Sequence, residues 1–172
     1  IGLQFHTGGW MSHAAQMVLF DSYADVGVPI HITEFWANTR HLASRTELSP
    51  EEIEAMQADY IVNTLTCAFG HPAVAAFFFW GFLGHAVDWG ERSDHHLKPV
   101  YHRVRRLIHE TWCTRETLKT DREGLARFRG FYGDYALRYA IAGKAGAGAA
   151  HGVTFNVDRV QAMPLTLTVP FG

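Results

Sequence analysis

Cysteine is scarce: only Cys67 and Cys113 occur among 172 residues. Their spacing suggests neither a disulfide staple nor a zinc site, and the pair reads as two separate buried thiols. The redox compartment therefore stays open. An excess of charge of either sign is also missing. A formal net charge of −2 argues against nucleic acid or an anionic membrane as the main partner. No apolar run approaches the roughly 20 residues of a membrane span. The densest, Phe77-Phe78-Phe79-Trp80, meets Gly81, Gly84 and His85 almost at once and reads as a buried strand. There is no initiator methionine and no signal peptide. The chain opens directly on the strand-like Ile1-Gly2-Leu3-Gln4-Phe5-His6, which predicts a fragment of a longer protein.

What is present is apolar and aromatic: 48% hydrophobic and 13% aromatic residues, enough for one ordinary core and a small second domain. The central stretch is Val28-Pro29-Ile30-His31-Ile32-Thr33-Glu34-Phe35. It is short, apolar and β-branched, as expected of a buried parallel strand. Period-2 geometry puts Val28, Ile30, Ile32 and Glu34 on one face. Glu34 then ends the strand at the position where barrel and open-sheet enzymes place their chemistry. Spacing alone leaves equally open a rim carboxylate paired with an arginine.

Before it, Gln4 and His6 share one face of a first strand. Met11 to Val26 reads as a helix stopped by Gly27. After it, Trp36 to Leu48 is a polar loop. Ser49-Pro50-Glu51-Glu52 opens a second helix with a capping box, whose apolar stripe is Ile53, Met56, Tyr60, Leu65 and Phe69. Val74 to Phe82 is a third strand and Lys98 to Trp112 a third helix, with Val100, Val104, Leu107, Ile108 and Trp112 on one side. This alternation is that of parallel βαβ units. Beyond Thr114 the composition changes. Ala126 to Phe131 and Tyr135 to Ile141 read as short strands, Asp121-Arg122-Glu123-Gly124 as a hairpin turn, and Gly143 to Gly152 as a flexible loop.

Several short motifs then stand in a familiar order. Gln4-Phe5-His6, Ile32-Thr33-Glu34-Phe35, Trp80-Gly81 and Lys98-Pro99-Val100-Tyr101 resemble the sixth, seventh and eighth strands and the final helix of glycoside hydrolase family 10, the endo-β-1,4-xylanases. Phe128-Arg129-Gly130-Phe131-Tyr132-Gly133-Asp134-Tyr135 resembles the β extension of some members. The resemblance implies an α/β fold: the C-terminal portion, about three βα units over residues 1–114, of a (β/α)8 TIM barrel, followed by a small antiparallel β domain over 115–172 that packs on it. It implies a retaining glycoside hydrolase acting on xylan, and a chain inactive alone because the general acid/base lies upstream. By the same resemblance Glu34 is the nucleophile, His6 supports it, and Gln4, Trp80 and Trp89 line the cleft. Trp36 stands where many members carry an aspartate and offers a further stacking surface. No cofactor or metal is expected, since His85, His95, His96 and His102 match no ligand spacing. The expected partner is polysaccharide, with neither nucleic acid nor membrane, and the expected location extracellular or periplasmic. A rival reading is a degenerate barrel that binds glycan without cutting it; a third makes the β tail an interaction module.

Overall fold

A computed structural model describes residues 1–6, 9–42, 44–88, 94–140, 151–158 and 165–169. They fall into two compact units, Ile1–Thr111 and Trp112–Gly172.

The first unit alternates strand and helix: β1 (Gly2–His6), α1 (His13–Ala24), β2 (Ile30–Trp36), α2 (Pro50–Gly70), β3 (Val74–Phe79) and α3 (Pro99–Arg106). A π-helical turn, Leu107–Thr111, continues α3. Local chemistry sets the ends. The Ser12 hydroxyl caps α1 by accepting from the Ala15 N–H, and Gly27 follows it at φ +79°, a conformation costly for other residues. Ser49 and Glu52 exchange side-chain and backbone bonds in the expected capping box, with Pro50 in the first turn.

The three strands are parallel, in the order β1-β2-β3. Their inner face buries Phe5, Ile30, Ile32 and Phe35 together with Phe20 of α1 and Ile61 of α2. α2 lies against both α1 and α3. Its buried face is Gln57, Tyr60, Ile61, Thr64, Leu65 and Ala68; Met56 and Phe69 of the expected stripe are exposed. On α3 and its continuation Val100 and Leu107 are buried while Ile108 is exposed.

The regular alternation expected of β2 fails at one point. Leu3 pairs with Ile32, but the next pair is Gln4 with Glu34, so Thr33 is an extra residue in β2. β3 records the same insertion, with Ile32 opposite Phe77 and Phe35 opposite Phe79. Beyond this bulge it is Phe35, not Glu34, that joins Ile30 and Ile32 in the core. The Thr33 hydroxyl donates to the Leu3 carbonyl at 3.1 Å and closes the irregularity. Val28 precedes the strand and is exposed.

The barrel assignment does not hold. Among the described residues the unit is an open three-stranded parallel sheet with three α-helices, and three strands cannot close on themselves. Neighbouring parallel strands joined through helices are the common solution for any βαβ chain. The succession that suggested barrel strands six to eight therefore does not distinguish a barrel.

In the second unit β4 (Gly133–Tyr139) and β5 (His151–Val157) form an antiparallel pair. Tyr135 stacks on Phe155 across it, centroids 5.3 Å apart. Ala126 to Phe131 is not a strand. It is irregular chain held by the Tyr135 hydroxyl, which donates to the Phe131 carbonyl at 2.6 Å. Gly130 lies directly against that hydroxyl, leaving no room for a side chain. The turn at Asp121 exists: its carboxylate accepts from the Glu123 and Leu125 N–H groups, and Gly124 sits at φ +78°. Of the expected loop from Gly143 to Gly152, residues 143–150 lie outside the described residues. Cys67 is half-buried and Cys113 exposed, not buried as expected.

Candidate site at the end of the parallel sheet

The bulge at Thr33 builds the site. It turns Glu34 away from the core and sets it beside Gln4, which shares with His6 the face of β1 opposite Leu3 and Phe5. The Gln4 amide donates to Glu34 Oε1 at 3.1 Å. His6 Nε2 lies 2.9 Å from Glu34 Oε2. Each carboxylate oxygen therefore has its own partner from β1. The side chains of Glu34 and His6 remain 24% and 34% exposed, so a ligand can reach them.

Trp80 follows β3, its backbone N–H donating to the Phe35 carbonyl at 2.9 Å. Its indole is 55% exposed and meets the His6 ring edge-on at 6.0 Å. Trp36 pairs with His6 in the β1–β2 register but is half-buried. One side of its indole packs on His85 at 4.2 Å and on the turn holding Gly81 and Gly84. Gly84 has φ +81°, and a Cβ there would stand 3.2 Å from Trp36. Trp36 is thus partly a packing residue. Trp89 lies outside the described residues. The structure brings together Gln4, His6, Glu34 and Trp80, with Trp36 alongside.

Behind this cluster runs a buried polar chain that residue patterns did not reveal. The Ala37 N–H donates to His85 Nε2 at 2.9 Å, and the Ala37 carbonyl accepts from the Gln57 amide at 2.8 Å. Gln57 Oε1 in turn accepts from Lys98 Nζ at 3.0 Å, which also reaches the Gly84 carbonyl and, at 3.5 Å, Glu54. Desolvation pulls the His85 pKa down to about 4, opposed by the Gly81 backbone and reinforced by the Lys98 charge. In the sequence Gln57 is one polar residue on a helix, Lys98 the residue before one and His85 one histidine of a loop, and none of these positions marks burial.

Asp88, Asp94 and His96 bring ligand-type atoms within 4.8 Å of one another. His96 Nδ1 bonds Asp94 directly at 2.7 Å, which raises the imidazole pKa and lowers that of the carboxyl. Among the described residues no helix is long and apolar enough to cross a membrane.

No family model matches the chain. It is similar to the anti-sigma-I factor RsgI6 of Acetivibrio thermocellus, 28% identical over 165 residues, covering 92% of this chain and 19% of that protein. The chain thus spans well under two thirds of this relative's length. By its name the relative is a regulator of a sigma factor, and nothing in these comparisons supports a glycoside hydrolase. The identification with glycoside hydrolase family 10 is corrected accordingly. With it fall the retaining endo-xylanase activity, the glycan-binding alternative and xylan as partner. The physical reason lies in the motifs: each is three or four residues long, and their order follows from a βαβ succession that many functions share.

Proposed function

We propose that this chain serves a regulatory protein of the anti-sigma-I kind, and that the end of its parallel sheet is a protein-recognition surface. The observation that carries the reading is the 28% identity to RsgI6 across 92% of the chain. The partner is a sigma-I-type factor. Glu34 is the anionic anchor of the surface, held in place by Gln4 and His6. Trp80, with the exposed side of Trp36, forms aromatic walls beside it. A carboxylate next to an indole suits a lysine or arginine side chain, through a charge-assisted hydrogen bond and a cation–π contact. Tryptophan and charged anchors of this kind carry most of the energy of protein interfaces.

Calorimetric titration of a sigma-I-type factor from the same cell into the full chain tests this. A saturable complex is expected, weakened by at least about tenfold in Glu34→Gln and in Trp80→Ala. Absence of a complex, or full affinity in both variants, would overturn the proposal.

A further inference from the structure

The last helix carries more positive charge than its packing uses. Its inner side is fixed: Val100 and Leu107 are buried, and α3 lies against α2. Arg103 is taken up there as well, paired with Asp59 of α2. His102, Arg105, Arg106 and His109 are exposed. They stand at positions i, i+3, i+4 and i+7, which places them on one side of α3 and its π-helical continuation. Arg105 and His109 border the same hollow, so the π turn keeps them together. Among the described residues none of the four forms an ion pair with a carboxylate.

Ordinary causes account for only part of this. Cations near a helix C-terminus interact with its dipole, but the effect is confined to the last turn. The continued helix ends at Thr111, so Arg105 and Arg106 precede that turn. A generally basic composition does not explain them either, since the formal net charge is −2. Neighbouring guanidinium groups repel each other, and an anion lying between them removes that cost.

We propose that this basic stripe docks an acidic segment of a protein partner. The Arg105 and Arg106 guanidinium groups hold its carboxylates through charge-assisted, forked hydrogen bonds. His102 and His109 add an N–H donor at each end, since an imidazole keeps one donor even when neutral. The stripe is about 10 Å long, the reach of roughly three or four extended residues. Two fixed charges match nucleic acid poorly, because duplex DNA carries a charge about every 1.7 Å. A membrane is disfavoured because Val100 and Leu107 are buried and cannot enter lipid. The surface uses no residue of the Glu34 cluster.

The test titrates a fluorescent acetyl-hexaglutamate peptide into the full chain at low ionic strength, where screening is weak. Saturable binding is expected, with the largest 1H–15N shifts at the backbone amides of residues 102–109. A hexaglutamine peptide should not bind. Arg105→Glu combined with Arg106→Glu should weaken binding at least about tenfold. The same charge change at two other exposed arginines, Arg115→Glu with Arg122→Glu, should leave affinity within about twofold. The proposal is overturned if no saturable binding occurs, if the shifts lie elsewhere, or if both double variants lose affinity equally. It is overturned too if duplex DNA or phosphatidylserine vesicles bind the stripe more tightly than the peptide. Circular dichroism checks each fold; should the α3 variant unfold, the shift map on the unaltered chain decides.

Discussion

Two polar groups meet at the end of β2, and they are built on opposite terms. Behind the strand, Gln57, Lys98 and His85 are all more than nine-tenths buried, and they hold both backbone groups of Ala37. In front, Gln4, His6 and Glu34 make a similar set of bonds while still partly in water. In the buried set, losing one member strands another where no water can replace it. In the open set, water substitutes at little cost. The strand end is therefore fixed from behind and presented in front, as a binding surface on a rigid element requires.

The buried side should fail hardest. Gln57→Leu takes the donor from the Ala37 carbonyl and an acceptor from Lys98. We expect a loss of about 2–3 kcal/mol in urea unfolding, because a buried ammonium group loses one of its few acceptors. A loss below about 0.5 kcal/mol would mean that the two groups are not energetically distinct.

The same side predicts a pH dependence. His85 has a folded pKa of about 4, below its ordinary value of 6.5. Between these values the unfolded chain binds the extra proton and the folded chain does not. The contribution is therefore complete above about pH 6.5 and lost as pH falls toward 4, by up to about 3 kcal/mol. Urea melts at pH 7.5 and 4.5 measure the loss, and His85→Gln should remove most of the difference. An equal difference in the variant would place the dependence in other groups.

How far these features could be read beforehand follows from the same physics. The positions of β1, β2 and β3 and the start of α2 are local: apolar runs, Gly27, and the Ser49–Glu52 box mark them. The bulge at Thr33 is not local, because only pairing with both neighbours reveals the extra residue. Strict alternation consequently put Glu34 on the face of Val28, Ile30 and Ile32. The burial of Gln57 and Lys98 was hidden for another reason. A polar residue on a helix, such as Gln57, or just before one, such as Lys98, normally faces water, and their burial depends on partners such as Ala37 and Gly84, distant in sequence. Gln4 and His6 were readable as one face because β1 alternates without interruption. In the second unit, Ala126 to Phe131 has strand-like residues but Gly130 packs under Tyr135, and tertiary contact overrides propensity. Function was the least readable level, since three-residue motifs on a βαβ succession do not specify chemistry.

The bulge joins the two groups and should give an intermediate effect. Thr33→Val keeps the shape of the side chain and removes the hydroxyl that donates to the Leu3 carbonyl. We expect a cost of about 1 kcal/mol. The His6 imidazole resonances should also move, because Gln4 and His6 then lose their fixed register with Glu34. Unchanged His6 resonances would show that strand pairing alone holds the register.

The smallest stability effect belongs to Glu34 itself. Glu34→Gln keeps the side chain's length and one acceptor oxygen, so either the Gln4 amide or the His6 ring can still bond it. Water reaches whatever is left unpaired, since a quarter of the side chain is exposed. The change in unfolding free energy should stay within about 0.5 kcal/mol. Against a basic side chain of a protein partner the same substitution removes a full negative charge, so binding should suffer where folding does not. A variant that binds normally but unfolds easily would reverse the comparison, making the front cluster a brace and leaving the surface without its anchor.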